Sequence, residues 1–441
     1  NTVDFDYSNL LITYDLGWAS LMSTSSLFNG KSAREASFFN AFPSITGAAG
    51  NRELIDTDRF VEEIRLASQL EGPWQFVVGL FYEDLQTDSV AGSVWQGSAT
   101  TNPFGTNPVL VESLLKLDLE QKAVFSEISY AFNEQWELSF GSRYFDYDRV
   151  DTVTAFDATF SPGGAPPNAV NASETGTIFK TNLSFTPNED TLVYAQWSEG
   201  FRLGKGQNVP SLALCDTDNN GKLDFTDADL TDQVDSDATQ NIEIGAKFTL
   251  LDNRLTLNTA IFDIDWSDLP ALTSNTSPTC PGGMGITNNI GEANSKGVEM
   301  EANYLVTPQL VINLSASYIE AEWENTEGLS AIPGESLPLA PRTNANMGVQ
   351  YSFDLSRYPA FARADINYLG EYENGLKSAG LPTSGDYVNV SARLGINIDQ
   401  WSLAFYATNL TNDEGFINKD NVVTGLRVTP RRLGLEASYA F

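Results

Sequence analysis

The segment DTDNNGKLDFTD, residues 216–227, has the residue types and the spacing of a calcium-binding loop. In this pattern, side-chain oxygens stand at the first, third, fifth, ninth and twelfth positions, Gly221 forms the sharp turn, and Lys222 offers its backbone carbonyl. The oxygens belong to Asp216, Asp218, Asn220, Asp224 and Asp227. We therefore predict a calcium ion that orders the segment by neutralising its carboxylates, without a catalytic role. An acidic loop that fits the pattern by chance is the alternative.

The overall composition excludes several other kinds of chemistry. The 441 residues include 25 Lys and Arg against 58 Asp and Glu, two Cys and no His, which gives a net charge of −33. Such an acidic chain does not suit nucleic acid, because phosphates require a basic surface. Without His, Ser–His–Asp and Cys–His catalysis, most catalytic zinc sites and His-ligated haem are excluded. We predict that the protein is not an enzyme.

The sequence contains no helical membrane or secretory signal. No apolar run reaches the roughly 18 residues that a membrane helix requires. The first residues, NTVDFDYSNL, do not form a secretory signal. We expect that residue 1 follows a processing site or that the chain is part of a longer protein.

Alternation of apolar and polar residues is the dominant pattern from end to end. In NIEIGAKFTLL, residues 241–251, Ile242 and Ile244 share one face, and Glu243 and Lys247 share the other. The same alternation occurs in WELSFGSRYF (136–145), LVINLSASY (310–318) and WSLAFYATNL (401–410). A period of two residues predicts β-strands that have one apolar and one polar face.

The connections between these strands alternate between short and long. Short polar turns are predicted at 71–73, 133–135, 187–190, 252–254 and 307–309. Long segments rich in Gly, Pro, Ser and Asn are predicted as loops at 40–58, 93–113, 157–172, 205–235, 267–286, 325–341, 375–384 and 412–425. Short turns on one side and long loops on the other are typical of an outer-membrane β-barrel. A soluble propeller or sandwich is the alternative, but no repeat of fixed period is present and the loops are too unequal.

Six stretches, in order, resemble the barrel of TonB-dependent outer-membrane receptors. They are FVEEIRLASQLEGPWQFVVGLFYED (60–84), LSFGSRYFDYD (138–148), LVYAQWSEGFRLG (192–204), SKGVEMEANY (295–304), ATNLTND (407–413) and RRLGLEASYAF (431–441). Gly415 and Phe416 replace the tyrosine that usually follows the fifth motif. The resemblance implies an all-β, transmembrane antiparallel barrel over residues 1–441, with long extracellular loops and short periplasmic turns.

The number of strands departs from the family pattern. About 17 strand segments are present, whereas transporters of this kind have about 22 strands around a plugged lumen. We therefore expect that the first strands, the plug domain and the TonB box are absent from the sequence. Either the chain is a fragment or a second polypeptide completes the barrel, because unpaired strand edges are not tolerated in lipid.

The barrel topology places the acidic segment outside the cell. Residues 205–235 form a long loop in this topology, where a weak calcium site would meet a calcium-rich exterior. Cys215 precedes the acidic segment, and Cys280 lies in the next long loop. We predict a disulfide between them, since an exported protein with two such cysteines most simply pairs them. Free thiols or a site shared with a partner are the alternatives.

The family resemblance implies TonB-energised uptake of a scarce solute, such as a siderophore–iron complex or an oligosaccharide. A passive porin without a plug, or a structural barrel within a surface complex, is the alternative. Arg143 and Arg202 face inward by alternation and could attract an anionic ligand. Their alternative role is an interior ion pair with nearby carboxylates.

The expected partners follow from the same resemblance. They are outer-membrane lipid and lipopolysaccharide, TonB through a plug domain, a small solute and a surface lipoprotein that the acidic segment could dock. Nucleic acid is not expected. The predicted location is the bacterial outer membrane.

Overall fold

The computed structural model describes residues 2–38, 49–95, 109–157, 168–207, 232–273, 286–325, 331–377, 380–419 and 425–440. Within these ranges the regular elements are all β-strands, as the alternation predicted. No helix among the described residues is long and apolar enough to cross a membrane.

Seventeen strands form one antiparallel sheet. They are β1 (Thr2–Asp15), β2 (Ala19–Phe38), β3 (Ala49–Ser68), β4 (Trp74–Trp95), β5 (Val109–Ala131), β6 (Trp136–Asp157), β7 (Asn168–Asn188), β8 (Thr191–Arg202), β11 (Asp237–Leu250), β12 (Leu255–Thr273), β13 (Ile286–Thr307), β14 (Leu310–Asn325), β15 (Thr343–Leu355), β16 (Tyr358–Leu369), β17 (Tyr387–Ile398), β18 (Trp401–Thr408) and β21 (Arg432–Tyr439). Two small hairpins complete the set: β9 (Lys205–Gly206) with β10 (Gln233–Val234), and β19 (Phe416–Asn418) with β20 (Leu426–Arg427).

The order of strands in the sheet follows the order in the sequence. Each strand pairs with its neighbours along the chain, β8 pairs with β11, and β18 pairs with β21. Among the described residues, β1 pairs with β2 alone and β21 pairs with β18 alone. The predicted short turns at 71–73, 133–135, 187–190, 252–254 and 307–309 all lie at one end of the sheet, where consecutive strands meet.

The outer face of the sheet carries an apolar band. Ile242 and Ile244 on β11 are 59% and 58% exposed, and Ile261 on the adjacent strand is 65% exposed. Apolar side chains this exposed match the lipid-facing band of a membrane barrel.

Aromatic pairs lie on this face close to the short turns. Ring centroids are 4.5 Å apart for Trp74 and Tyr130, 4.4 Å for Trp136 and Phe185, and 5.0 Å for Trp401 and Tyr439. Such rings form the girdle found at the membrane–water interface of these barrels, because they combine an apolar body with a polar edge.

Several strands continue into regions that the composition predicts as loops. β3 begins at Ala49, inside the predicted loop 40–58, and β12 ends at Thr273, inside 267–286. β4 and β5 reach 22 and 23 residues, well beyond the about 9–11 that cross hydrocarbon. The loop predictions are too long because backbone pairing continues past the point where the composition changes: Ala49 is still paired with Trp95, and Thr273 with Ile286. Ladder hydrogen bonds join backbone groups and do not require a particular side chain.

Candidate functional site

The lumen face of the sheet is identified by its opposition to the apolar band. On β6, Tyr144 belongs to the outer face and is 49% exposed, whereas Arg143, Phe145 and Tyr147 point to the other side. Side chains alternate along a strand, so these three residues face the interior. Arg143 and Arg202 both lie on this inner face, as the alternation predicts.

Arg143 borders a cavity of about 460 Å³ in the inner wall. Two other cations of this cavity have carboxylate partners: Lys180 pairs with Glu127, and Arg65 Nη1 lies 3.8 Å from Glu63. Within the described part of the chain Arg143 has no ion pair, and its guanidinium carbon lies 4.9 Å from the ring centre of Phe81. Its positive charge is offset by Glu63 and Glu83, which interact with it without forming an ion pair.

A second inner-wall cavity, on β13–β16, has a different chemistry. It has a volume of about 250 Å³ and is rich in amides: Asn303, Asn313, Asn346 and Asn367 line it. Asn313 Nδ2 donates to Asn303 Oδ1 at 2.6 Å. Arg363 and Asp365, which also line this cavity, form an ion pair with each other. The two cavities thus differ in composition: three cations and three carboxylates line the first, whereas amides predominate in the second, which Glu301 also lines.

The upper part of β8 separates from β7, whereas β11 stays paired with β12 up to Ala238 and Ser267. The end of the β8–β11 pair therefore leans over the inner face of β6. β7 pairs with β8 only up to Lys180 and Ser198, although β7 continues to Asn168 and β8 to Arg202. β8 and β11 stay paired beyond this point, and the β9–β10 hairpin extends them. We call residues 199–207 and 232–240 the mouth ribbon. Its Phe201 ring is stacked on Phe145 of β6, with centroids 3.8 Å apart.

Buried polar contacts fix the mouth ribbon to β6 and β7. The Gly204 amide donates to Tyr147 Oη at 2.8 Å, and the Gly206 amide donates to Asp151 Oδ2 at 2.7 Å. Tyr147 is 1% exposed and Asp151 is 4% exposed. A Cβ on Gly204 would lie 2.6 Å from the Val234 carbonyl oxygen, so the close approach requires glycine.

The mouth ribbon is also fixed to β13 on the other side. The Gln207 side chain bonds both backbone groups of Thr287, at 2.7 and 3.0 Å. Asn289 does the same for Asp235, at 2.8 and 2.9 Å. Paired contacts of this kind replace strand hydrogen bonds, so the ribbon is braced between β6–β7 and β13. It is the predicted loop 205–235 whose two ends are held in this way.

Arg202 forms an interior ion pair at the start of the ribbon. Its Nε lies 2.8 Å from Asp237 Oδ2, and its Nη2 also bonds that oxygen. Trp266 Nε1 donates to the same oxygen at 2.8 Å, and the Arg202 guanidinium carbon lies 4.5 Å above the indole ring. Asp237 is 2% exposed, whereas the Arg202 side chain is 60% exposed.

Three long connections join into one unit above β14–β18. Glu335, 8% exposed, accepts the amides of Ile332, at 3.1 Å, and of Lys377. Tyr372 Oη donates to the Ile417 carbonyl, and the Gly385 amide donates to that of Phe416 at 2.9 Å. Burial raises the pKa of Tyr372, so its hydroxyl remains a donor. These connections hold one another in place as an extension of the wall.

The predicted calcium and disulfide residues lie outside the described residues. This applies to Asp216, Asp218, Asn220, Lys222, Asp224, Asp227, Cys215 and Cys280. In the described ranges, no cluster of three or more His, Cys, Asp or Glu could hold a metal ion. Both predictions therefore stay predictions.

Sequence reasoning missed the residues that fix the mouth ribbon. Tyr147, Asp151, Asp237 and Trp266 lie beyond the predicted strands 136–145 and 241–251, in parts of β6, β11 and β12 that lie between the predicted turns and loops. Nothing in the sequence indicates that β8 separates from β7, so the contacts of Tyr147 and Asp151 with the ribbon were not foreseeable. Those of Asp237 and Trp266 depend on the register of β8, β11 and β12, which alternation does not give.

The comparisons with known proteins agree with this architecture. The family model described as TonB dependent receptor-like, beta-barrel, matches residues 1–410. The pesticin receptor of Yersinia pestis is 21% identical over 73% of this chain and 44% of its own length. The probable TonB-dependent siderophore receptor PiuA of Acinetobacter baumannii is 21% identical over 68% and 42%. The chain thus spans less than half the length of these curated relatives.

Solved structures show the same fold at low identity. The ferric yersiniabactin uptake receptor FyuA from Yersinia pestis superposes with a TM-score of 0.77 at 16% identity, covering 98% of this chain and 60% of that one. The siderophore receptor PiuA from Acinetobacter baumannii gives a TM-score of 0.73 at 17% identity, with 99% and 64% covered.

Proposed function

Because the chain belongs to the TonB-dependent receptor β-barrel family, we propose that it forms the barrel of a receptor for uptake of a siderophore–iron complex. The barrels of this family lie in the outer membrane of Gram-negative bacteria, and so does this one. The family consists of transport receptors, not enzymes. Oligosaccharides and other scarce solutes are alternative cargoes.

The observation that carries the proposal is the chemistry of the lumen. Its inner wall presents Arg143 without an ion-pair partner in the described ranges, above a cavity of about 460 Å³. Ferric siderophores are commonly anionic, and an arginine that contacts no carboxylate keeps its N–H donors for the oxygens of an anion. Relatives named as siderophore receptors support the same cargo.

Energy coupling is part of the proposal. A plug domain engaged by TonB would release the bound solute inward, as the family resemblance implies. Lipid and lipopolysaccharide would cover the apolar band, and a surface lipoprotein is a further candidate partner.

The test is uptake of radioactive iron by cells that express the full-length protein. Anionic ferric chelates are offered to iron-starved cells with and without the gene, each with and without TonB. We expect iron uptake only in cells that have both the gene and TonB. Uptake that persists without TonB, together with ion conductance of the purified protein in planar bilayers, would identify a passive porin instead. Equal uptake with and without the gene would contradict both functions.

The calcium loop and the disulfide complete the proposal. Their support is the spacing of the acidic motif and the presence of two cysteines in the sequence; Gln207 and Asp235 fix the chain on both sides of the segment. Calcium would order this segment over the lumen, and a bridge between Cys215 and Cys280 would join it to the next loop.

A further inference from the structure

The mouth ribbon turns Arg202 towards the axis of the lumen. Phe201 is stacked on Phe145, so this side of the ribbon faces β6 and β7. The next side chain points the opposite way, because side chains alternate along a strand. Arg202 therefore lies on the side of the ribbon that is open, consistent with its 60% exposed side chain.

Within the described residues, the guanidinium of Arg202 contacts its protein neighbours through one edge and one face. Its Nε and Nη2 atoms bond Asp237, and its plane lies over Trp266. An arginine has five N–H donors in a rigid fork. Nη1 has no protein partner in the described ranges, so its donors remain directed away from Asp237.

The pair with Asp237 changes what Arg202 can recognise. The carboxylate is buried and neutralises most of the positive charge, so a simple anion gains little Coulomb attraction. What remains is a rigid plane whose Nη1 donors and second face meet no partner among the described residues. Arginine planes of this kind bind oxygens in pairs and stack on conjugated groups.

We propose that Arg202, positioned by Asp237 and Trp266, is a docking site for a planar oxyanion, such as an aromatic carboxylate or a catecholate. Within the proposed uptake function, on which this assignment of a ligand class rests, the planar oxyanion is a group of the transported solute. The mouth ribbon holds the site at the entrance of the lumen, so the solute meets it before the cavity at Arg143.

The test is binding of 2,3-dihydroxybenzoate to the purified full-length protein in detergent. Saturation-transfer NMR and calorimetry measure this binding. This probe carries a planar carboxylate and a catechol but no iron. We expect millimolar binding by the unmodified protein. We expect cyclohexanecarboxylate, which has the charge without the plane, to bind at least several-fold more weakly.

Two substitutions separate geometry from charge. Arg202→Lys keeps a cation against Asp237 but removes the fork and the plane, and we expect affinity to fall by about tenfold. Arg202→Gln should reduce the affinity for the probe by at least the same factor. Arg393→Gln is the matched control, because it removes an arginine from another ion pair on the inner wall, outside the two cavities, and should leave affinity unchanged.

Three results would overturn the site: no binding by the unmodified protein, unchanged affinity of Arg202→Lys, or equal loss in Arg393→Gln. The iron-uptake experiment does not share these outcomes. Probe binding that depends on Arg202 in a protein that takes up no ferric chelate would retain the site and reject the uptake function. Uptake of ferric chelate by a protein that does not bind the probe would retain the uptake function and reject the site at Arg202.

Discussion

At the scale of single residues, glycines on the inner wall make room for aromatic rings of the neighbouring strand. Gly79 of β4 lies opposite Phe125 of β5, and the Phe125 ring occupies the space where a Cβ on Gly79 would lie. The ring covers backbone that would otherwise face the water of the lumen. A larger side chain at residue 79 would therefore displace the Phe125 ring.

Gly79→Ala should destabilise the barrel by about 1–3 kcal/mol, since the ring must leave its position. Urea unfolding in detergent micelles, followed by tryptophan fluorescence, measures the change. The control is Gly79→Ala with Phe125→Leu, in which the smaller side chain relieves the overlap. A double variant that is no more stable than Gly79→Ala would contradict the packing explanation.

Asp237 shows how much a single buried acceptor can matter. Asp237→Ala leaves the donors of Arg202 and Trp266 without their acceptor. We expect a loss of about 2–4 kcal/mol, below the upper range for buried pairs because Arg202 is partly solvated. Asp365→Ala removes a more exposed partner of arginine and should cost about 1 kcal/mol or less. Equal losses in the same unfolding assay would show that burial at Asp237 has no special effect.

At the scale of elements, the mouth ribbon is the feature that distinguishes the upper barrel from a plain meander. Its position depends on contacts between residues far apart in sequence, such as Gly206 with Asp151 and Gln207 with Thr287. Contacts on two sides of the ribbon hold β8 apart from β7.

A cross-link tests that position. In a Cys215→Ser, Cys280→Ser background, Gly206→Cys and Val170→Cys would place their Cβ atoms close together, since a Cβ on Gly206 lies 2.8 Å from that of Val170. A disulfide needs about 3.5–4.5 Å, so a small shift allows it. We expect rapid oxidation to a bridged species, identified by mass spectrometry of non-reduced peptides. Each single-cysteine variant is the control, and a lack of bridging would place the ribbon elsewhere.

The acidic segment makes a separate prediction for calcium removal. EGTA should increase proteolytic cleavage within residues 216–227 of the full-length protein, and calcium should restore protection. The half-effect should lie at about 0.1–1 mM, the range of extracellular modules. Asp216→Ala with Asp218→Ala should abolish the calcium effect, whereas Asp232→Ala, outside the motif, should preserve it. Cleavage that is insensitive to calcium would favour a chance match to the pattern.

At the scale of the whole molecule, the two faces of the sheet should respond oppositely to the same charge. Ile244 lies in the apolar band and is 58% exposed, whereas Gln196 lies on the inner face of the adjacent β8. Ile244→Lys should destabilise the barrel in lipid vesicles by about 1–4 kcal/mol, depending on depth, because the charge enters hydrocarbon.

Gln196→Lys is the matched control and should change stability little, because its side chain meets the wet lumen. The free energy of unfolding in vesicles, measured by denaturant titration, compares the two. If the substitution at Gln196 were the more harmful one, the assignment of faces would be reversed.

The sequence alone determined the strands, their short turns, their two faces and the family. It could do so because each of these depends on residues that are neighbours along the chain: alternation in 241–251 fixes a strand and its faces without reference to any other strand. It placed Arg143 and Arg202 on the inner face for the same reason.

Only the tertiary structure decided what those inward side chains contact. The ion pair of Arg202 with Asp237 joins residues 35 positions apart, and the contact of Gly204 with Tyr147 joins residues 57 apart. The first depends on the register of β8 with β11, in which Arg202 and Asp237 are opposite residues. The second depends on the separation of β8 from β7, which results from the combined packing of several strands. No local pattern encodes it, so the sequence gives the direction of each side chain and the fold gives its partner.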